Sequence, residues 1–407
     1  MTEVAARDHS TLVIRAESVF DGEHALGPGS VLIRGGLVAD VDTTGAPPPD
    51  GALVRDLGHG VCLMPGLIDC HVHLVLDASA QAVATSAAAD DDATLKRMAS
   101  AAATALRAGI TTVRDLGDRR FLSLRLRDLD REGVPSPEII AAGPPLTTHG
   151  GHLAILGGEA EGAEELKAAV DERAARGCEV VKVIASGGNF TAGSRPHESQ
   201  YPVEDLRFVV DAAHAHGMTT AAHAHAVTSI ADALDAGFDT LEHVTFFTES
   251  GVHADQQLIE RIVERGTFVS LTVGSIPGLG SPPPAVAQRL DQLLANASRM
   301  CSAGARVVLG TDAGISPGKP HDVLPYAIEA LVGLGMSPMR ALHAVTAVAA
   351  DACGVRERKG RLSRGADADL VAVAGDPLTD IRAVHNVVAV YRNGQLAFDR
   401  RRRTRNP

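Results

Sequence analysis

Apolar and polar positions follow one rhythm at both ends of this chain and another in its middle. Residues 11 to about 62 hold short apolar runs broken by turns: Thr11–Ile14, Ser30–Arg34 and Leu37–Val41. The last two runs are joined by Gly35-Gly36, and a two-residue glycine connection between apolar runs predicts a β-hairpin. Pro47-Pro48-Pro49 makes a stiff loop. From about 63 to 354, strand-like apolar runs alternate with Ala-, Leu- and Arg-rich helical stretches, the βα repeat of a parallel sheet. Short strands then return at Ala368–Val373, Val387–Arg392 and Gln395–Phe398, the last two flanking Asn393-Gly394. The shared texture of the two ends predicts one small β-domain assembled from both.

The middle runs fall near Leu63–Asp69, Thr111–Asp115, Glu138–Ala142, Glu179–Ala185, Thr219–His223, Thr240–His243, Thr267–Val273 and Arg306–Asp312. Eight strands separated by helical segments fit an α/β (β/α)8 TIM barrel. An open doubly wound sheet is the competitor, but no G-x-G-x-x-G turn follows an early strand. The expected organisation is a barrel over 63–354 and a β-sandwich domain built from 1–62 and 355–407.

Composition narrows the class. A chain of 407 residues, 45% hydrophobic and 22% charged, has the size and balance of a soluble globular protein with a barrel-sized core and a second domain. The formal charge of −12 argues against a nucleic-acid surface. Five scattered cysteines without C-x-x-C spacing suit reduced thiols in a cytoplasm. The stretch Met1–Asp8 has no signal-peptide pattern, and no long uncharged apolar run suggests a membrane span. Arg400–Arg403 and Arg405 read as a solvated tail.

Chemistry on such a barrel gathers at the C-terminal ends of its strands. The first run leads into His71 and His73, and residues i and i+2 of a strand share a face. Two imidazoles presented to one point make a metal-ligand pair; two solvated histidines at a loop start are the bland alternative. Lys182 sits inside the aliphatic fourth run, where a barrel strand is buried on both faces. Its ammonium needs a partner or a change of charge state. A neutral lysine can take up CO2 as a carbamate, an anionic ligand able to bridge two metal ions. An ion pair with a carboxylate across the barrel is the equal alternative. His223 and His225 end the fifth run, His243 the sixth and Asp312 the eighth. Imidazole and carboxylate donors converging on one mouth suit Zn, Mn or Fe.

The set His-x-His, Lys, His, His, Asp on a barrel flanked by both chain ends resembles the amidohydrolase superfamily. The flanking motifs sharpen the likeness: Pro65–His73, Lys182–Gly188, Ala222–His225, Leu241–His243, Gly310–Gly314 and Gly360–Val371. They are most similar to the imidazolonepropionase-like branch, with its prolidase-type and Xaa-Arg or Xaa-Lys carboxypeptidase-type dipeptidases. The likeness spans about 11 to 398; it is specific for fold and metal site and weak for substrate. It implies two divalent ions, Zn first, with Mn, Fe or Ni as alternatives. His71, His73 and Asp312 would hold the more buried ion, His223 and His243 the second, and a carboxylated Lys182 would bridge them. A bridging hydroxide, acidified toward a pKa of about 7, would attack a carbonyl polarised by one ion. Asp312 would take its proton and deliver it to the leaving nitrogen. Asp115 is not among the family's ligands and is expected to be a cap or structural carboxylate.

Substrate contacts are expected from His152, favoured over His149, and from Arg195 and Tyr201 on the loop 189–201, with Arg195 clamping a carboxylate. His225 would hydrogen-bond the carbonyl oxygen; many dipeptidase-like relatives carry Tyr there. The Gly/Pro-rich segment 274–284 is a candidate lid. The expected protein is a cytoplasmic, homo-oligomeric hydrolase of a small N-acyl amino acid or dipeptide-like amide, without nucleic-acid or membrane partners. Cleavage of an ester, lactone, carbamate or cyclic imide at the same metals is the first alternative. A structural barrel without catalysis is the second.

Overall fold

The computed structural model describes residues 11–131 and 136–400; Met1–Asp8 and the tail from Arg401 onward lie outside the described residues. Both chain ends contribute to one eight-stranded sheet. It runs from β17 (Gln395–Asp399) through β16 (Val387–Arg392), β15 (Leu370–Ala374), β5 (Val61–Pro65), β1 (Leu12–Phe20) and β2 (Ala25–Arg34) to β3 (Leu37–Asp42), with β4 (Leu53–Asp56) on β1. The hairpin expected at Gly35-Gly36 forms, with Arg34 opposite Leu37. Both glycines have positive φ, 58° and 81°, as a two-residue primed turn requires.

The middle of the chain pairs its strands in parallel. β6 (Leu67–Val72), β7 (Ile110–Asp115) and β8 (Glu138–Ala141) form one ladder. β9 (Val180–Ile184), β10 (Thr219–Ala226), β11 (Thr240–Thr248), β13 (Phe268–Leu271) and β14 (Arg306–Leu309) form another, with β12 (Gly251–Val252) as a hairpin on β11. Bridges join the two ladders at both sides. Leu146 pairs with Val183, and Val72 pairs with Ala313 beyond β14. The eight parallel strands therefore follow one another in chain order around a closed circuit, with helices between them. β6, β7 and β9 are buried along their whole length, which is why their sequences read as continuous apolar runs.

One expected strand is two. The run Leu63–Asp69 splits at Gly66: β5 belongs to the terminal sheet and β6 to the parallel circuit. A Cβ on Gly66 would lie 2.0 Å from Thr111 Oγ1, so only glycine lets the chain cross so close to β7.

An ion cluster ties the two parts together. The buried Lys359 ammonium donates to Asp369 at 2.6 Å and lies 2.9 Å from Glu138, at the head of β8. Arg358 adds a 2.6 Å bond to Glu138. Burial alone would raise the Glu138 pKa, but these two cations hold it down at about 2. The scattered cysteines contain one unexpected contact: Cys70 and Cys353, both buried and free, bring their sulfurs to 3.7 Å. No helix among the described residues is long and apolar enough to cross a membrane.

Candidate metal centre

His71 and His73 lie at the C-terminal end of β6 and are almost fully buried. Their Nε2 atoms are 3.3 Å apart, and Asp312 Oδ1 lies 3.7 and 3.4 Å from them. The opposite ring nitrogens fix the tautomers. His71 Nδ1 donates to Glu242 Oε2 at 2.9 Å, and His73 Nδ1 donates to the Gly117 carbonyl at 2.9 Å. Both Nε2 atoms consequently face each other and the Asp312 carboxylate; burial would lower the His73 pKa, but the facing Asp312 carboxylate raises it. Imidazoles whose outer nitrogen is held by an acceptor are the usual arrangement around a divalent metal.

His223, His225 and His243 form a second group whose ligand atoms lie within 4.8 Å of one another, as do those of His71, His73 and Asp312. Rings of the two groups meet, His71 and His243 having centroids 5.1 Å apart. His223 Nε2 faces the Gly187 carbonyl at 3.3 Å, which leaves Nδ1 as its free acceptor. His225 Nδ1 bonds Thr245 Oγ1 at 2.8 Å and His243 Nδ1 bonds Thr272 Oγ1 at 2.9 Å, so each exposes Nε2. Burial, followed by the neighbouring imidazoles, pushes His223 and His243 well below the usual histidine range, and burial takes His225 to about 3. His71 is held near 4, again by burial. These rings are neutral at pH 7, the state in which imidazole can bind a cation.

Lys182 lines the same cavity, fully buried on β9, and its Nζ has no hydrogen-bond partner among the described residues. The cross-barrel ion pair weighed from sequence is not formed. Burial lowers the amine to about 8, so a reactive neutral fraction exists near neutral pH. A buried amine with no partner, beside five imidazoles and a carboxylate, fits a site completed by cations and a modified lysine.

Local backbone irregularity positions these side chains. His243, Val244 and Phe246 in β11 and Asp312 after β14 all have positive φ, between 48° and 71°. That conformation is costly for a β-branched residue such as Val244. The β10–β11 register shifts between Ala224 and Ala226, so β11 bulges where His243 emerges. Two glycines allow close approach. A Cβ on Gly310 would stand 2.3 Å from His71 Cβ, and one on Gly188 would stand 2.3 Å from His152 Nε2.

Other expected site residues divide clearly. His152 is buried, lines the cavity and lies tilted beside His223 with ring centroids 5.1 Å apart, whereas His149 is exposed and pairs with Glu165. Arg195 and Tyr201 are not brought to the cavity. Arg195 is exposed and pairs with Glu198 at 3.3 Å; Tyr201 is buried and donates its hydroxyl to Ala160 O. The segment 274–284 does border the cavity, through Gly274, Ser275 and Gly280 to Pro283. Asp115 accepts from Leu74 N and Gly117 N, a structural role.

Three residues were missed. Glu242 bridges His71 to Arg114, whose Nη2 donates to Glu242 Oε1 at 2.8 Å and whose Nε donates to Cys70 O at 2.7 Å. Both charges are wholly buried, and Arg114 outweighs desolvation to hold Glu242 at about 2. Lys319 lines the cavity while its Nζ donates to Thr272 O and Thr311 O. Opposite charges inside the buried runs Thr111–Asp115 and Thr240–His243 were the available signal for the first pair.

The sequence pattern of the amidohydrolase family matches residues 62–397. Ochratoxinase of Aspergillus niger is 30% identical over 374 residues, covering 82% of this chain and 75% of that protein. Its crystal structure has a TM-score of 0.81 to this one, at 27% identity, covering 96% of each chain. A Xaa-Pro dipeptidase crystallised with methionine in its active site gives a TM-score of 0.83 at 27% identity, covering 95% of this chain and 99% of that one. Imidazolonepropionase of Salinispora arenicola is 27% identical over 380 residues, 84% of each protein.

Proposed function

The chain belongs to the amidohydrolase family, hydrolases acting on carbon–nitrogen bonds, and from that premise we propose a binuclear metal-dependent enzyme cleaving the amide of a small N-acyl amino acid or dipeptide-like compound. The parallel circuit over 63–354 is read as its (β/α)8 barrel. The sheet from 1–62 and 355–407 is read as the small β-sandwich domain, with β5 at the junction. The observation that carries the reading is the facing pair of His71 and His73 Nε2 atoms, 3.3 Å apart with both outer nitrogens already donating.

In this reading His71, His73 and Asp312 would hold one divalent ion and His223 and His243 the other, with Zn the first choice of metal. The neutral Lys182 amine would add CO2, forming an N–C bond as one C=O π bond of CO2 opens and a proton passes to water, and the resulting anionic carbamate would complete the ligand set. When bound, such ions acidify water and polarise a carbonyl oxygen. Asp312 accepts the proton of the attacking water and returns it to the leaving nitrogen; contact with His73, overriding burial, keeps it ionised far below the usual carboxylate range. His225 and His152 orient the substrate, His225 by donating its Nε2 proton to the carbonyl oxygen while its Nδ1 accepts from the Thr245 hydroxyl. The Glu242 carboxylate keeps His71 in the tautomer that leaves Nε2 open.

The test is a panel of N-acyl amino acids and dipeptides offered to metal-loaded protein, with matching esters and lactones and with a chelator control. Amide cleavage abolished by chelation is expected. Cleavage of esters or lactones with no amide turnover would overturn the reading.

A further inference from the structure

The cavity that holds the metal centre, about 290 Å³, has two chemically distinct ends. Its charged lining residues, Lys182, Asp312 and Lys319, all belong to the metal end. The far wall is apolar and comes largely from one element. Helix Leu290–Ser302 turns Leu290, Leu293 and Leu294 toward the cavity, the spacing of one helical face. Val286 extends that wall, and Phe190 and Phe247 line the same cavity from other segments. Leu290 and Phe190 remain 42% and 38% exposed at this lining. Large apolar side chains left in water beside a catalytic cavity are explained by an apolar ligand that covers them. Among the described residues no Arg, Asp or Glu lines this end; Arg289 lies outside the lining, its guanidinium 6.0 Å from the Phe247 ring and donating to Ala285 O, and the clamp expected from Arg195 is turned away.

We propose that this wall is the specificity subsite, and that the enzyme selects amides carrying an uncharged apolar group, the size of a phenyl ring or hexyl chain, on one side of the scissile bond. The proposal rests on the amide-hydrolase reading for its chemistry but not for the binding it assigns. The occupant gains by removing its own apolar surface, and that of Leu290, Leu294 and Phe190, from water. The expected gradient is about fourfold per added methylene until the cavity is filled.

Two measurements on the metal-loaded full chain test it. The first compares kcat/KM across N-acylglycines from acetyl to octanoyl and across N-acetyl amino acids from glycine to phenylalanine. The second measures binding of ethanol through hexanol by calorimetry, which needs no hydrolysis. One of the two substrate series should rise steeply with apolar size, and alcohol affinity should climb in parallel. Leu290→Asn and Leu294→Asn should flatten both gradients at least fivefold while leaving the circular dichroism unchanged. Gln292→Ala, on the exposed side of the same helix, should change neither. Alcohol binding independent of chain length, or gradients unmoved by the two Leu variants, would overturn the proposal. Graded alcohol binding without hydrolysis of any amide would support the subsite and refute the amide chemistry instead.

Discussion

Replacing Glu242 by glutamine exchanges one oxygen for an amide nitrogen and removes one buried charge. The carboxylate now accepts from Arg114 Nη2 at 2.8 Å and from His71 Nδ1 at 2.9 Å, with both ion-pair partners fully buried. Each pH unit between 4.5 and about 2, where Glu242 is held, corresponds to about 1.4 kcal/mol, so its interactions, net of the opposing cost of burial, contribute about 3 kcal/mol. Stranding Arg114 without an anion costs a similar amount, about 3–5 kcal/mol for a broken buried pair. These describe one interaction from two sides, so about 3 kcal/mol is the expected loss in denaturant unfolding. A second consequence is chemical. The carbonyl oxygen of the introduced glutamine will turn to Arg114 and its amide nitrogen will face His71 Nδ1. His71 must then accept there and carry its proton on Nε2. A ligand nitrogen loses its lone pair, and metal affinity should fall about 10- to 100-fold. Competition with a chromophoric chelator reads that fall, and urea unfolding reads the stability. A Glu242→Gln protein within 1 kcal/mol of the parent and within twofold in metal affinity would refute both the ion-pair and the tautomer arguments.

Asp312→Asn should keep the fold and lose about 10²–10⁴ in kcat, the range for a general acid–base group; a value within tenfold of the parent would move proton transfer to another residue. Glu138→Gln should lower the melting temperature most at pH 7. Because Glu138 is held at about 2 rather than 4.5, its contribution is complete above about pH 4.5 and disappears as pH falls toward 2. The parent–variant difference should therefore shrink over that window, and a difference constant from pH 7 to 3 would contradict the linkage. Arg195→Ala should leave KM within about twofold for every substrate, since Arg195 pairs with Glu198 outside the cavity; a tenfold rise for free-acid substrates would restore the carboxylate clamp.

What the sequence revealed and what it hid follow from range and path. His71 and His73 are legible because a strand has period two, and His223, His243 and Asp312 because each ends an apolar run. The hairpins at Gly35-Gly36 and Asn393-Gly394 are local and carry their own turn chemistry. The break at Gly66 is not legible, because its cause is Thr111, brought alongside only when β6 and β7 pair. Arg114 and Glu242 are 128 residues apart, and Cys70 and Cys353 are 283 apart. No pattern within either segment specifies those meetings. The loop carrying Arg195 and Tyr201 follows the strand of Lys182 in sequence, but its path turns Arg195 toward Glu198 and Tyr201 toward Ala160. Position after a strand end places a loop near the mouth without deciding which of its side chains enters. Helix Leu290–Ser302 shows the converse: it carries none of the residues expected at the site, yet it walls the cavity.

Metal content tests the central proposal most directly. Protein purified without chelators should carry about two divalent ions per chain by elemental analysis across Zn, Mn, Fe and Ni. Lys182→Ala, lacking the bridging group, should carry one or fewer and regain metal when short-chain carboxylic acids are added. Well under one ion per chain in the parent, or two ions retained in Lys182→Ala, would contradict a binuclear centre bridged by that lysine.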